Sequence, residues 1–98
     1  MAEKKVQEIK VTFPDQLKAG VYSNLMRVNH TREEFILDFM MVSPPDGAVS
    51  ARVIMSPGHM KRTIIALQQN VQKYEERFGK LTEAQEPSGK GRLGFKAD

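Results

Sequence analysis

One helical stripe constrains this chain more than any other feature. Met60, Ile64, Leu67, Val71, Tyr74 and Phe78 recur at spacings of 4, 3, 4, 3 and 4, the repeat of a continuous apolar line along one side of an α-helix. Ser56 suits the cap, because its hydroxyl can accept from a first-turn N–H that has no helical partner. Pro57 suits the first helical position, where no N–H is needed, and Gly79 suits the stop. Residues 57–78 therefore predict a helix of about 33 Å. A stripe of that length must be buried against something, either the chain's own strands or a second copy.

Upstream the period changes from helical to alternating. In residues 6–13, Gln7, Ile9, Val11 and Phe13 fall on one side, with Glu8, Lys10 and Thr12 on the other, the pattern of a half-buried strand. Pro14-Asp15 ends it, and Gly20 closes the connection to a second strand over 21–30. The charged run Thr31-Arg32-Glu33-Glu34 is short enough for a hairpin loop. A third strand, 35–42, puts Phe35, Leu37, Phe39 and Met41 on one side and Ile36, Asp38, Met40 and Val42 on the other. Ser43-Pro44-Pro45-Asp46-Gly47 reads as a turn, and residues 48–55 as a fourth strand. The expected fold is α+β: a four-stranded antiparallel sheet followed by one long C-terminal helix, ββββα, within a single domain over 6–79.

The last nineteen residues, 80–98, show no periodicity and contain Pro87, Gly89, Gly91 and Gly94. They read as a disordered or flexible tail. That leaves a folding unit of some seventy residues, whose core is intrinsically small. One helix covers only one side of a sheet, and the other side still carries Leu25, Ile36, Met40 and Ile54 among polar residues. Unpartnered apolar surface on so small a unit predicts a homodimer. The surfaces available for it are this second sheet face and the helix residues Met60, Ile64, Leu67 and Val71.

Composition narrows the function classes. The chain has 98 residues and no cysteine, which excludes a disulfide-stapled scaffold and a thiolate metal site. No apolar run is long enough to span a bilayer, and the N-terminus lacks the apolar stretch of a signal peptide, so a cytoplasmic location is expected. His30 and His59 belong to no metal-ligand spacing, and no nucleophile, base and orienting group recur at catalytic spacing. Neither an enzyme nor a metal or cofactor is expected.

Charge points toward binding. The net charge is +3 and the isoelectric point about 9.3. A four-residue hairpin loop places Arg27 opposite Asp38, with Arg52 on or close to the same face; the arginines are candidate anion contacts, and Asp38 is a candidate orienting group. Lys10, with Lys90, Arg92 and Phe95 in the tail, completes a candidate nucleic-acid surface, since a basic glycine-rich segment with an aromatic can meet phosphates and stack on bases.

Three stretches carry a resemblance: Gly20 to Phe39 (GVYSNLMRVNHTREEFILDF), Ser50 to Arg62 (SARVIMSPGHMKR) and Ala66 to Gly79 (ALQQNVQKYEERFG). They resemble a small bacterial family catalogued as domain of unknown function 3467. The resemblance supplies no activity, but it singles out the polar residues Asn24, Asp38, Asn70 and Tyr74. It departs at Gly58, where the family usually carries Glu. The ββββα order is also similar to the repeat of Pur-type and Whirly single-stranded nucleic-acid-binding domains, which implies a sheet surface that takes a strand. The resulting expectation is a non-enzymatic homodimeric module that binds single-stranded DNA or RNA through its sheet face and tail. The rival expectations are an assembly factor that docks another protein on Leu25, Ile36, Met40 and Ile54, or a purely structural protein.

Overall fold

A computed structural model describes residues 6–89 and 91–95. Three strands, β1 (Leu25–His30), β2 (Phe35–Ser43) and β3 (Asp46–Met55), form an antiparallel sheet in the order β1-β2-β3, and the helix α1 (Pro57–Phe78) follows. The α+β class, the antiparallel sheet and the single long helix agree with the sequence reading. The strand count does not: the sheet has three strands, one fewer than expected and one fewer than the Pur and Whirly repeat.

The missing strand is the first. Residues 6–13 form no strand, and Ile9 and Val11 are 77% and 87% exposed. Alternation states only which side of an extended segment favours burial. A strand also needs a ladder of backbone partners, and among the described residues no backbone hydrogen bond joins the segment to the sheet. A short 3-10 turn at Asp15–Leu17 and Gly20, whose φ of 72° is the left-handed conformation natural to glycine, separate it from the sheet.

The second strand is shorter than the 21–30 expected because side chains take over its beginning. Asn24 donates from Nδ2 to the Val42 carbonyl and accepts at Oδ1 from the Val42 N–H, both at 2.8 Å. Its carboxamide imitates one further residue of the ladder. The Ser23 hydroxyl shares its one proton between the carbonyls of Leu25 and Met40, at 3.0 and 3.1 Å.

The two hairpins then set the register. In the first loop the Thr31 hydroxyl accepts from the N–H groups of Glu33 and Glu34, and the Thr31 N–H donates to the Glu34 carbonyl. That closure pairs His30 with Phe35 and hence Arg27 with Asp38. The second turn is tighter than the sequence suggests, with Ser43 paired to Asp46 around a cis Pro44-Pro45 bond. Between Phe39 and Met40 the register against β3 slips by one: Met40 faces Val49 and Phe39 faces Ala51, leaving Ser50 as an extra residue.

These registers separate two sheet faces. One is apolar almost throughout, with Met26 and Val28 on β1, Phe35, Leu37, Phe39 and Met41 on β2, and Ala51, Val53 and Met55 on β3. The other is mixed and carries Arg27, Asp38 and Arg52 beside Leu25, Ile36, Met40, Val42 and Ile54. Among the described residues, the only buried apolar side chains are Leu37, Met40 and Val42.

The helix forms as its sequence requires. The Ser56 hydroxyl accepts from the His59 N–H, Pro57 occupies the first position, and the Gly79 N–H donates to the Glu75 carbonyl at φ 96°. It does not lie on its own sheet: none of its residues is buried, and Leu67, Val71 and Tyr74 are 62%, 46% and 47% exposed. The consequence is an open molecule. Its radius of gyration is 18.0 Å, against about 12–13 Å for a compact chain of this length. No helix among the described residues is long and apolar enough to cross a membrane.

Candidate functional site

Arg27, Asp38 and Arg52 stand side by side on the three strands of the mixed face. Asp38 is fully buried between the arginines. Arg52 grips it with two hydrogen bonds, Nε to Oδ1 at 2.6 Å and Nη2 to Oδ2 at 3.0 Å. Arg27 approaches from the opposite side, Nη2 to Oδ2 at 3.3 Å. The Arg52 hydrogen bonds hold the Asp38 carboxyl below its ordinary range; burial opposes this, and the Arg27 hydrogen bond and the two positive charges reinforce it. Asp38 in turn raises the Arg52 guanidinium above its ordinary value.

The bulge at Ser50 creates this arrangement. Without the one-residue slip, Asp38 would face Ala51, and Arg52 would point to the apolar side of the sheet. With it, two guanidiniums sit two strand spacings apart, about 9–10 Å backbone to backbone, around a single carboxylate. The cluster thus carries one net positive charge. The Arg52 side chain is 57% exposed and that of Arg27 36%. Arg27 Nε is buried with no hydrogen-bond partner among the described residues.

The C-terminal segment crosses the same face. The Phe95 ring lies on the Arg27 guanidinium, 3.7 Å from its carbon to the ring centroid, within cation–π range. Arg92, Leu93 and Phe95 face Met40, Val42 and the Pro44–Val49 turn region across an open cleft of about 1000 Å³.

The remaining expected residues are distributed unevenly. Lys10, expected on the sheet, belongs instead to the exposed segment before the first turn, because the strand that would have carried it does not form. Lys90 lies outside the described residues. Leu25 and Ile36 are half-buried, Met40 is 3% exposed and Ile54 52% exposed, so the apolar part of this face is thinner than the sequence suggests. Met60 is half-buried at the sheet end of the helix, while Ile64 is exposed alongside Leu67 and Val71.

Of the polar residues singled out by resemblance, Asn24 braces β2, Asp38 centres the charge cluster and Asn70 donates to the Ala66 carbonyl of its own helix. Tyr74 stacks at a tilt on Phe78, with ring centroids 5.0 Å apart. Ser50 was not singled out by the sequence, although its bulge aligns the cluster and its hydroxyl donates to the Tyr22 carbonyl. Among the described residues, no three His, Asp or Glu side chains gather where they could hold a metal ion.

Residues 1–83 match the family model described as "Protein of unknown function (DUF3467)". The match covers most of the chain, and the protein belongs to that family. No curated protein and no solved structure matches it significantly.

Proposed function

We propose that this member of the DUF3467 family is a non-enzymatic homodimeric module of the bacterial cytoplasm that binds single-stranded nucleic acid on the Arg27–Arg52 face. The observation that carries the reading is the geometry of the cluster. One buried carboxylate on β2 positions one arginine from each flanking strand, neutralises only one of them, and leaves the Arg52 side chain 57% and the Arg27 side chain 36% exposed. Fixed guanidiniums contact phosphate oxygens at low entropic cost. Phe95 and Arg92 on the same face add an aromatic ring that can stack on a base and a further cation.

Support for the dimer is the exposed apolar surface of a chain with three buried apolar side chains among its described residues. The rival, a protein partner docked on the apolar part of the same face, has less to hold because Met40 is already buried.

Fluorescence anisotropy with labelled single-stranded and duplex oligonucleotides is the test. With about three phosphate contacts, single-strand affinity falls roughly 10–20-fold between about 50 and 200 mM salt. Arg92→Ala weakens binding across all sequences and flattens the salt slope by about one contact. Phe95→Ala weakens single-strand binding through lost stacking. Absence of any complex at low salt refutes the nucleic-acid reading.

A further inference from the structure

Two apolar surfaces of this chain have no partner among the described residues, and they match each other. The first is the helix stripe, where Ile64, Leu67, Val71 and Tyr74 are each at least 40% exposed. The second is the apolar sheet face, where Met26, Val28, Met41 and Val53 are 48%, 39%, 41% and 41% exposed. Helix and sheet are normally paired layers. Here a single residue separates them, since β3 ends at Met55 and the helix starts at Pro57.

Ser56 is extended at φ −67° and ψ 155°, and its hydroxyl is committed to the helix cap. The Thr63 hydroxyl donates to the His59 carbonyl at 2.9 Å and lies 3.5 Å from the Met55 sulfur, so the first turns sit beside the end of the strand. With no loop to reverse direction, the helix buries none of its own residues, and around the buried Leu37 the apolar face of its own chain stays partly open among the described residues.

The geometry points to a helix exchange: each helix lies across the apolar sheet face of a second copy. This inference rests on the homodimer part of the reading above and names how the copies join. The lengths agree, because a 22-residue helix and the 10-residue β3 both span about 33 Å. A three-stranded sheet is about 14 Å wide, close to the 10–12 Å diameter of one helix.

The area is also sufficient. Covering the side chains named above removes roughly 700–800 Å² per copy, close to the ~800 Å² per partner of a standard stable interface. A second copy is the occupant that satisfies both surfaces together: a two-fold axis brings each helix to the other chain's sheet and leaves neither half over. An unrelated partner would need to present a striped helix and an apolar sheet at once.

The chain has no cysteine, so introduced thiols report contacts cleanly. Val53→Cys on the sheet and Leu67→Cys on the helix are made as separate variants, refolded together as an equal mixture, and treated with a bifunctional thiol cross-linker. Both sites are partly exposed, so the folds should survive; Met41→Cys replaces the sheet position if the first variant does not fold.

Helix exchange predicts a cross-linked species containing one chain of each kind, several-fold more abundant than the product of either variant alone. Three results overturn it: cross-linking within one chain when both cysteines share it, dominant self-linking of Leu67→Cys, or no mixed product. Light scattering on the same samples separates the claims. A dimer without the mixed product removes helix exchange and keeps the homodimer, and a monomer removes both. A mixed product without oligonucleotide binding removes only the proposed ligand.

Discussion

Replacing Asn24 with alanine tests whether a side chain serves as part of the sheet. The carboxamide makes two 2.8 Å hydrogen bonds to the N–H and carbonyl of Val42, whose side chain is 8% exposed. A net hydrogen bond is worth about 1 kcal/mol, and an unmet buried polar group costs about 1–3 kcal/mol more. Asn24 itself lies at the solvent edge, so water satisfies part of what alanine abandons, and the expected loss is about 1–2 kcal/mol. For a domain of this size that lowers the melting temperature by about 5–15 °C.

Asn24→Asp sharpens the test. At neutral pH its carboxylate accepts from the Val42 N–H but sets a second acceptor against the Val42 carbonyl, so it melts no higher than the alanine variant. Thermal unfolding followed by circular dichroism at fixed protein concentration, which removes the mass-action contribution of association, gives the answer. An alanine variant within about 2 °C of the parent, less than the smallest shift expected from a lost hydrogen bond, or an aspartate variant as stable as the parent, refutes the ladder-extension argument.

Two further outcomes concern the charge cluster and the helix end. Because the folded-state carboxyl of Asp38 titrates below its unfolded value of 3.8, its stabilisation is fully present well above that pH and is lost as pH falls through the lower folded value. Urea midpoints of parent and Asp38→Asn should differ by a constant amount from neutrality to about pH 5 and converge below about pH 4; a gap that persists unchanged at pH 2 contradicts the pairing. Gly79 holds φ 96° and ψ 168° with nothing within 4 Å of an added Cβ. Gly79→Ala therefore costs about 1–3 kcal/mol through backbone strain alone, seen as a lower urea midpoint, and an unchanged midpoint shows that the helix ends some other way.

How much of this was legible beforehand depended on whether a feature was local. The helix bounds follow from Ser56, Pro57, the stripe and Gly79, all of which act within a turn or two, and the structure has them where the spacing predicts. The Arg27–Asp38 pairing follows from a loop of four residues whose first, Thr31, closes it. The Ser50 bulge has no such signature: no glycine marks it, and it shows only once Met40 and Phe39 are seen to face Val49 and Ala51. Asn24 reads as the start of a strand, yet beyond its N–H bond to the Met40 carbonyl it joins the ladder through its side chain. The alternation of 6–13 is real, but alternation describes a preference for burial and cannot supply the edge that a strand pairs with. The same gap separates the helix stripe from its partner, since a stripe states what must be covered and not which chain covers it.

The central claim is that a second copy completes this fold. The solvent-accessible surface of the single chain is 9737 Å², against about 5,700 Å² for a compact monomer of its mass. Multi-angle light scattering of the full chain at micromolar concentration measures the claim directly. The account predicts a species of twice the 11.1 kDa chain mass; a stable, cooperatively folding monomer at 11.1 kDa contradicts it.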